Sequence, residues 1–258
     1  MNKKYFFFDI DGTLTDNVTK QIVPSAYQTL HDLQTQGHFV CIATGRAHYK
    51  AVTFMKEIGL YNMVCSGGNG LVINNTLIEN KPLQRKQALA IVEQAESLGY
   101  GILIALDDSK DVYSKNDLFL KQAGRRKEPT KYIFNQKLDY GEIQNFHKIY
   151  ISIPIDKEKE LTLKDTLGYL RFEMEYLMFQ PDNKKQGIIK MMDYLGGNLE
   201  DVVVFGDDYN DLDMFDAPWT KVAMGNACDA LKQKADYITD KNIDDGIYNI
   251  CRKMKWVV

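Results

Sequence analysis

The chain has 258 residues, of which 45% are hydrophobic and 26% are charged, and its formal net charge at pH 7 is −3. This composition is ordinary for a folded globular protein and argues against a largely disordered chain. The length suits one large α/β domain or a core with an insertion. The slightly acidic balance does not indicate a nucleic-acid-binding protein, which usually carries a basic stripe.

The chain contains four cysteines, and no two of them are spaced as a Cys-x-x-Cys pair. A disulfide framework or a zinc site is therefore not expected, and the cytoplasm is the predicted location. The first apolar run is interrupted by Asp9 and Asp11, which makes it too short for a signal peptide. No segment approaches the about 18 apolar residues of a membrane span, so we expect no membrane partner.

The first third of the chain alternates short apolar runs with amphipathic segments. The apolar runs show no alternation, which indicates strands buried on both faces, as in a parallel sheet. Glycine and proline positions help to bound the helices between them. We predict strands at 5–10, 38–43 and 63–65, helices at about 24–36 and 47–58, and a turn-rich segment at 66–70.

The middle of the chain differs, because its elements can form a small sheet of their own. We interpret 82–180 as an inserted domain with linkers near Pro82 and Pro181. The predicted elements are helices at about 84–98 and 157–169 and strands at 101–106, 147–154 and 171–180.

The last quarter returns to alternating strands and helices, with a helix at about 185–195 and strands at 202–205, 222–224 and 237–238. Repeated β-α-β units imply right-handed crossovers and parallel strands. The predicted fold is therefore α/β. A doubly wound, mostly parallel, Rossmann-like core sheet is formed by 1–81 and 181–258, and the inserted α/β domain covers 82–180.

Two acids stand where the first predicted strand ends, in the sequence Asp9-Ile10-Asp11-Gly12-Thr13. Side chains at i and i+2 of a strand project to the same face. We therefore expect both carboxylates to point out of the carboxyl edge of the sheet, where ligands bind in open α/β folds. Gly12 permits a sharp turn directly after them.

A second polar segment, Thr44-Gly45-Arg46, stands where the second strand ends and a helix begins. A hydroxyl, a glycine amide and a helix N-terminus together suit a phosphate group. A third segment follows another buried strand, and its clustered oxygens suit a hard cation, although an acidic surface loop is the alternative. Its sequence is Gly206-Asp207-Asp208-Tyr209-Asn210-Asp211.

Several acids are thus predicted to converge on one crevice. Two like charges about 4 Å apart repel by roughly 4 kcal/mol at an effective dielectric constant of about 20, so these acids cannot all stay ionised beside an anionic substrate. A divalent cation and one lysine, Lys184 or Lys185, can compensate. Mg²⁺ fits best, because it prefers carboxylates, waters and phosphate oxygens. The converging acids are Asp9, Asp11, Asp207, Asp208 and Asp211.

In this order, the motifs resemble those of the haloacid dehalogenase superfamily of phosphotransferases. The insertion resembles the family's C2-type cap, and the segments 222–227 and 244–246 resemble its Cof-type branch. The four matching motifs are Asp9-x-Asp11-Gly12-Thr13, Thr44-Gly45-Arg46, Lys184, and Gly206-Asp207-x-x-Asn210-Asp211.

The resemblance implies a Mg²⁺-dependent phosphatase that hydrolyses small phosphorylated metabolites, sugar phosphates above all, through a phospho-aspartate. Asp9 is then the nucleophile, and Asp11 is the general acid and later the general base. Mg²⁺ is held by Asp9, the backbone carbonyl of Asp11, and Asp207, with support from Asp211 and Asp208. The implied phosphate-binding groups are Thr44, the Gly45 amide, Lys184 and Asn210.

The branch usually shows a glycine after the lysine of its third motif, whereas Lys185 follows Lys184 here, so either lysine fits the role. A phosphomutase of the same superfamily, a signalling receiver and a non-catalytic phosphometabolite-binding protein are alternative interpretations. The substrate and the oligomeric state stay open. The residues of the inserted domain that are candidates for substrate contacts are Arg125, Arg126, Lys127 and Tyr132.

Overall fold

The protein is described by a computed structural model of residues 2–258, except for the side chain of Phe172. The chain folds into two compact units. The first unit combines the N-terminal segment up to Asn80 with Asp182–Val258, and the second unit is Lys81–Pro181.

The N-terminal segment of the first unit alternates strands and helices before it ends in a hairpin. The turn of this hairpin is Asn74-Asn75, with φ angles of 48° and 63°. Two consecutive residues with positive φ match the twist of a two-residue hairpin, and asparagine tolerates that conformation. The elements are β1 (Tyr5–Phe8), α1 (Pro24–Thr35), β2 (Phe39–Ala43), α2 (His48–Glu57), β3 (Met63–Cys65), β4 (Gly70–Ile73) and β5 (Thr76–Asn80).

The second unit has a six-stranded sheet of its own, in the order β10-β11-β9-β6-β7-β8. Its neighbouring strands are antiparallel, except that β7 and β8 are parallel. The elements are α3 (Arg85–Ser97), β6 (Ile102–Ala105), β7 (Asp111–Ser114), α4 (Leu118–Ala123), β8 (Lys131–Phe134), β9 (Lys148–Ile151), β10 (Tyr169–Glu173) and β11 (Tyr176–Phe179).

Two predictions for this unit are wrong. The helix expected at 157–169 is replaced by two short 3₁₀ segments, Ile155–Glu160 and Lys164–Thr166. Leu161, between them, is fully buried, so tertiary packing overrides a weak helical tendency. The strand expected at 171–180 is a hairpin, because the chain turns between β10 and β11.

The C-terminal segment returns to the first unit and completes an eight-stranded sheet in the order β14-β13-β12-β1-β2-β3-β4-β5. The strands from β14 to β3 are parallel, and β4 and β5 are antiparallel. This confirms the predicted doubly wound, mostly parallel α/β fold. The new elements are α5 (Lys184–Leu195), β12 (Val202–Gly206), β13 (Thr220–Ala223), α6 (Asp229–Lys234), β14 (Tyr237–Ile238) and α7 (Gly246–Lys253).

Strand β1 is central to the core, because its alternating side chains supply both layers around the sheet. Phe6 and Phe8 pack in the layer that contains α1, α2 and α7. Phe7 packs in the layer that contains α5 and α6. Phe8 also stacks on Phe205 of the neighbouring strand β12, with 4.5 Å between ring centroids. Among the helices of residues 2–258, none combines the length and apolar character needed to cross a membrane.

Replacement of Phe8 by alanine tests the role of β1 in the core. We expect Phe8→Ala to lower the free energy of unfolding by about 3–5 kcal/mol, because a fully buried ring is lost and a cavity remains. Tyr27→Ala is the control, since Tyr27 on α1 is 45% exposed and should change stability by less than about 1 kcal/mol. Urea unfolding measures both, and similar losses for the two variants would contradict the packing described.

Candidate active site

Polar residues directly follow three neighbouring strands at one edge of the core sheet. Asp9 follows β1, Thr44 follows β2 and Asp207 follows β12. Strand β1 lies between the other two, and Phe8 is in register with Ile42 on one side and Phe205 on the other. The carboxyl ends of the three strands therefore meet at the same place, which is where open α/β sheets bind ligands.

Lys184, the first residue of α5, also reaches this edge of the sheet. Its Nζ lies 2.6 Å from Oδ1 of Asp9 and 2.5 Å from Oδ1 of Asp211. The Lys184 side chain is fully buried, as is that of Asp211. Lys185, by contrast, donates from Nζ to the backbone carbonyl of Asp216. The structure thus brings Lys184, and not Lys185, to Asp9.

Asp9, Asp207 and Asp211 form a buried group of carboxylates. One oxygen of each lies within 4.8 Å of the others. Oδ2 of Asp211 accepts hydrogen bonds from the backbone amides of Asp207 (2.9 Å) and Asp208 (3.3 Å). The exposed carboxylate of Asp208 instead caps the 3₁₀ helix Tyr209–Phe215. Asp208 is therefore bound to its own helix and lies outside the carboxylate group.

If all three acids of this group were ionised, they would carry more negative charge than Lys184 alone neutralises. Burial raises the pKa of Asp9 to about 7, although the nearby Lys184 opposes the shift. Burial, together with the charges of Asp9 and Asp211, raises the pKa of Asp207 to about 8. Burial alone would lower the pKa of Lys184, but Asp211 and Asp9 outweigh it and the pKa is raised, so the lysine stays charged.

The surroundings of Asp207 fit a divalent cation bound at this group. The donors are carboxylate oxygens, which hard cations prefer. Gly12 has φ +87°, and a Cβ at this position would collide with Oδ2 of Asp207, so the glycine keeps space beside that oxygen. Thr13 donates from Oγ1 to Oδ1 of Asp207 (3.0 Å), which fixes the orientation of the carboxylate. Thr13 stands in the first motif, but the sequence did not indicate this contact.

The Asp11 carboxylate is not one of the three acids of that group, but its charge acts on Asp9. That it projects to the same edge as Asp9 stays a prediction. Strand β1 ends at Phe8, and the chain then turns because the amides of Leu14 and Thr15 both donate to the carbonyl of Ile10. The strand alternation on which the expectation depended is therefore lost before Asp11. A metal contact from the Asp11 backbone carbonyl stays a prediction.

The predicted phosphate-binding residues occupy the same edge of the sheet. Thr44 is buried, and its Oγ1 accepts a hydrogen bond from the amide of Arg46 (3.1 Å). Gly45 and Asn210 are half-buried. Their contacts with a phosphate group stay predictions, as does that of Thr44.

Glycines in the turn-rich segment after β3 allow the start of α5 to approach the sheet. A Cβ on Gly68 would collide with the backbone carbonyl of Asn183, the residue before Lys184. Gly67 accepts a hydrogen bond from the Asn183 amide (2.8 Å). The sequence marked this segment only as a turn, because its partner lies more than a hundred residues away.

Two asparagines near the C-terminus hold the loop that follows β1. Asn226 donates from Nδ2 to the Gly12 carbonyl (2.8 Å), and Asn242 donates from Nδ2 to the Thr15 carbonyl (2.8 Å). The Asn242 amide donates to Oδ1 of Asn226 (3.0 Å), which links the two. Sequence reasoning assigned neither residue a role. The resemblance of 222–227 to a family segment was the available signal.

Comparison with known proteins gives a consistent result. The model of the haloacid dehalogenase-like hydrolase family matches residues 6–250. YkrA of Bacillus subtilis, which is named as a phosphatase, is 30% identical over 250 residues that cover 96% of both chains. The pyridoxal phosphate phosphatase YbhA of Escherichia coli is 26% identical and covers 96% of this chain and 97% of its own.

Solved structures agree with this fold. The subclass IIB sugar phosphatase BT4131 superimposes with a TM-score of 0.79 at 22% identity, and the match covers 99% of this chain and all of that one. The match shows the same fold in both proteins.

The two adjacent lysines offer a matched test of the buried ion pairs. We expect Lys184→Met to lower the free energy of unfolding at pH 8 by about 3–5 kcal/mol, because Asp9 and Asp211 then stay buried without their cation. The loss should be smaller at pH 5.5, because Asp9, whose pKa is raised to about 7 by burial, then takes up a proton. Lys185→Met should cost less than about 1 kcal/mol, because its head group is at the surface. Equal losses in urea unfolding would contradict this assignment.

Proposed function

Because the chain belongs to the haloacid dehalogenase-like hydrolases and is a phosphatase of that family, we propose that it hydrolyses small phosphorylated metabolites through a phospho-aspartate at Asp9, with Mg²⁺ as cofactor. The observation that carries this proposal is the buried group in which Asp9 lies against Lys184 and within 4.8 Å of Asp207. A carboxylate nucleophile, a fixed cation and two further acids are the groups that phosphoryl transfer to an aspartate requires.

The first step is attack by Asp9 on the phosphorus of the substrate. Lys184 holds Oδ1 of Asp9, so we assign the attack to Oδ2. The new bond joins Oδ2 to phosphorus while the bond from phosphorus to the leaving oxygen breaks. Asp11 donates a proton to that oxygen, and the alcohol departs.

The second step returns the enzyme to its starting state. A water molecule attacks the phosphorus of the phospho-aspartate, and Asp11 accepts the proton that the water loses. The bond between Oδ2 and phosphorus breaks, phosphate departs and Asp9 is again a carboxylate. Thr44, the Gly45 amide and Lys184 hold the phosphoryl oxygens in both steps.

Asp9, Asp207 and the backbone carbonyl of Asp11 are the groups that would hold Mg²⁺, with Asp211 in support. When bound, the ion supplies the positive charge that keeps these acids ionised beside an anionic substrate. The raised pKa values of Asp9 and Asp207 support this assignment, because burial, together with the charges of neighbouring acids, makes their ionised forms costly without a further cation.

We assign the predicted cap, 82–180, to substrate selection, and sugar phosphates are the first class to examine. All residues assigned to catalysis belong to the first unit. The relative YbhA is named for pyridoxal phosphate, so phosphorylated cofactors are the second class. A phosphomutase would return the phosphoryl group to a sugar, and a binding protein would not turn over. The relatives named as phosphatases favour hydrolysis over both.

Replacement of the nucleophile tests the proposed reaction. With Mg²⁺ and a panel of sugar, nucleotide and cofactor phosphates, the parent protein is expected to release free phosphate. Asp9→Asn should lower kcat by at least about 10⁴-fold and leave no acid-stable label on the protein after a quench with ³²P-substrate. Asp201→Asn is the matched control, because Asp201 pairs with Lys4 on the surface of the same unit. Undiminished turnover by Asp9→Asn would assign the nucleophile elsewhere.

The pKa values predict how Mg²⁺ affinity depends on pH. Without the ion, Asp207 holds a proton below about pH 8 and Asp9 below about pH 7. Mg²⁺ must displace these protons, so its affinity should fall about tenfold per pH unit below pH 8, and more steeply below pH 7. Titration calorimetry in two buffers with different ionisation enthalpies would measure the affinity and the protons released. A dissociation constant that is the same at pH 6 and pH 8.5 would contradict this prediction.

A further inference from the structure

Arg46 stands in the second motif but has no part in the reaction described above. We propose that Arg46 is a positioning residue that orients the Asp11 carboxylate for its two proton transfers. This inference rests on the proposed function, in which Asp11 is the general acid and base.

Arg46 donates two hydrogen bonds to the Asp11 carboxylate. Its Nε donates to Oδ2 of Asp11 (2.9 Å), and its Nη2 donates to Oδ1 (2.6 Å). A guanidinium that binds both oxygens fixes the plane of the carboxylate as well as its distance, which a single hydrogen bond does not. The Asp11 side chain is 47% exposed, so packing alone does not confine it to one rotamer.

Arg46 is itself anchored, so it can act as a fixed support. Its backbone amide donates to Oγ1 of Thr44, and its carbonyl accepts from the amide of Ser66 (2.8 Å). Its guanidinium lies 5.7 Å from the ring centroid of Phe54 on α2. The loop after β2 therefore determines where the acid of the loop after β1 is held.

The two cations of the site serve different acids. Lys184 contacts Asp9 and Asp211 in the buried group, whereas Arg46 contacts Asp11, which lies outside that group. A carboxylate offers about four lone-pair positions, and the two hydrogen bonds from Arg46 occupy two of them. The remaining positions allow Asp11 to donate a proton to the leaving oxygen and later to accept one from water. The guanidinium of Arg46 stays hydrogen-bonded to the carboxylate and transfers no proton itself.

The test is a double-mutant cycle measured over a series of aryl phosphates whose leaving groups range from good to poor. We expect Arg46→Gln to lower kcat/KM about 10–100-fold for the poorest leaving group and less than about threefold for the best, because only a poor leaving group needs a well-placed acid. In an Asp11→Asn background, Arg46→Gln should add less than about threefold, since it acts through Asp11.

Arg46→Lys keeps the positive charge but has a single donor group. Its kcat/KM for the poorest leaving group should therefore lie between that of the parent and that of Arg46→Gln. This variant decides the question if Arg46→Gln does not fold. Lys4→Gln is the control, because it removes a salt bridge of the first unit at the opposite end of β1, and it should leave the whole series unchanged.

Three results would overturn the inference. The first is an equal loss for all leaving groups, and the second is full additivity with Asp11→Asn; both would mean that Arg46 binds the phosphoryl group or supports the fold. The third is an Arg46→Lys variant with parental kcat/KM throughout. Failure of the proposed function is a different outcome, because the parent protein, with Arg46 intact, would then release no phosphate.

Discussion

The buried contact of Lys184 with Asp9 and Asp211 is the constraint on which the rest of the site depends. Removal of such ions from water costs several kcal/mol each, and the attraction offsets this only when the geometry is close. The three residues come from the start of α5, the end of β1 and a 3₁₀ helix after β12. The parallel sheet holds these elements in register, so the fold provides the geometry that makes the buried charges tolerable.

Glycine and asparagine residues around the buried charged group help to keep its elements in place. Gly68 lets the start of α5 approach the turn after β3, and Gly12 leaves space beside the Asp207 carboxylate. Asn226 and Asn242 fix the loop after β1 through its carbonyl groups. The loop after β1 and the start of α5 are thus positioned by groups that carry no charge of their own. The charge of the site is therefore set by its acids, Lys184 and Arg46.

Much of this arrangement could be predicted, because the motif residues directly follow buried apolar strands and parallel strands bring such positions together. The sequence thus predicted the α/β fold and the proximity of Asp9 to Asp207. The first strand was predicted to reach Ile10 but ends at Phe8, because hydrogen bonds from Leu14 and Thr15 to Ile10 bend the chain there. The roles of Asn226 and Asn242 were not predictable, because they depend on contacts more than two hundred residues apart.

The central place of β1 also has a consequence for synthesis on the ribosome. Strand β1 is synthesised before its neighbour β12, which follows nearly two hundred residues later. At about 5–20 residues per second, one edge of the aromatic run Tyr5–Phe8 stays without its partner strand for roughly 10–40 s. Unpaired apolar strand edges promote aggregation. The nascent chain is therefore most vulnerable to misassociation in this interval, when chaperone binding to its N-terminal segment would matter most.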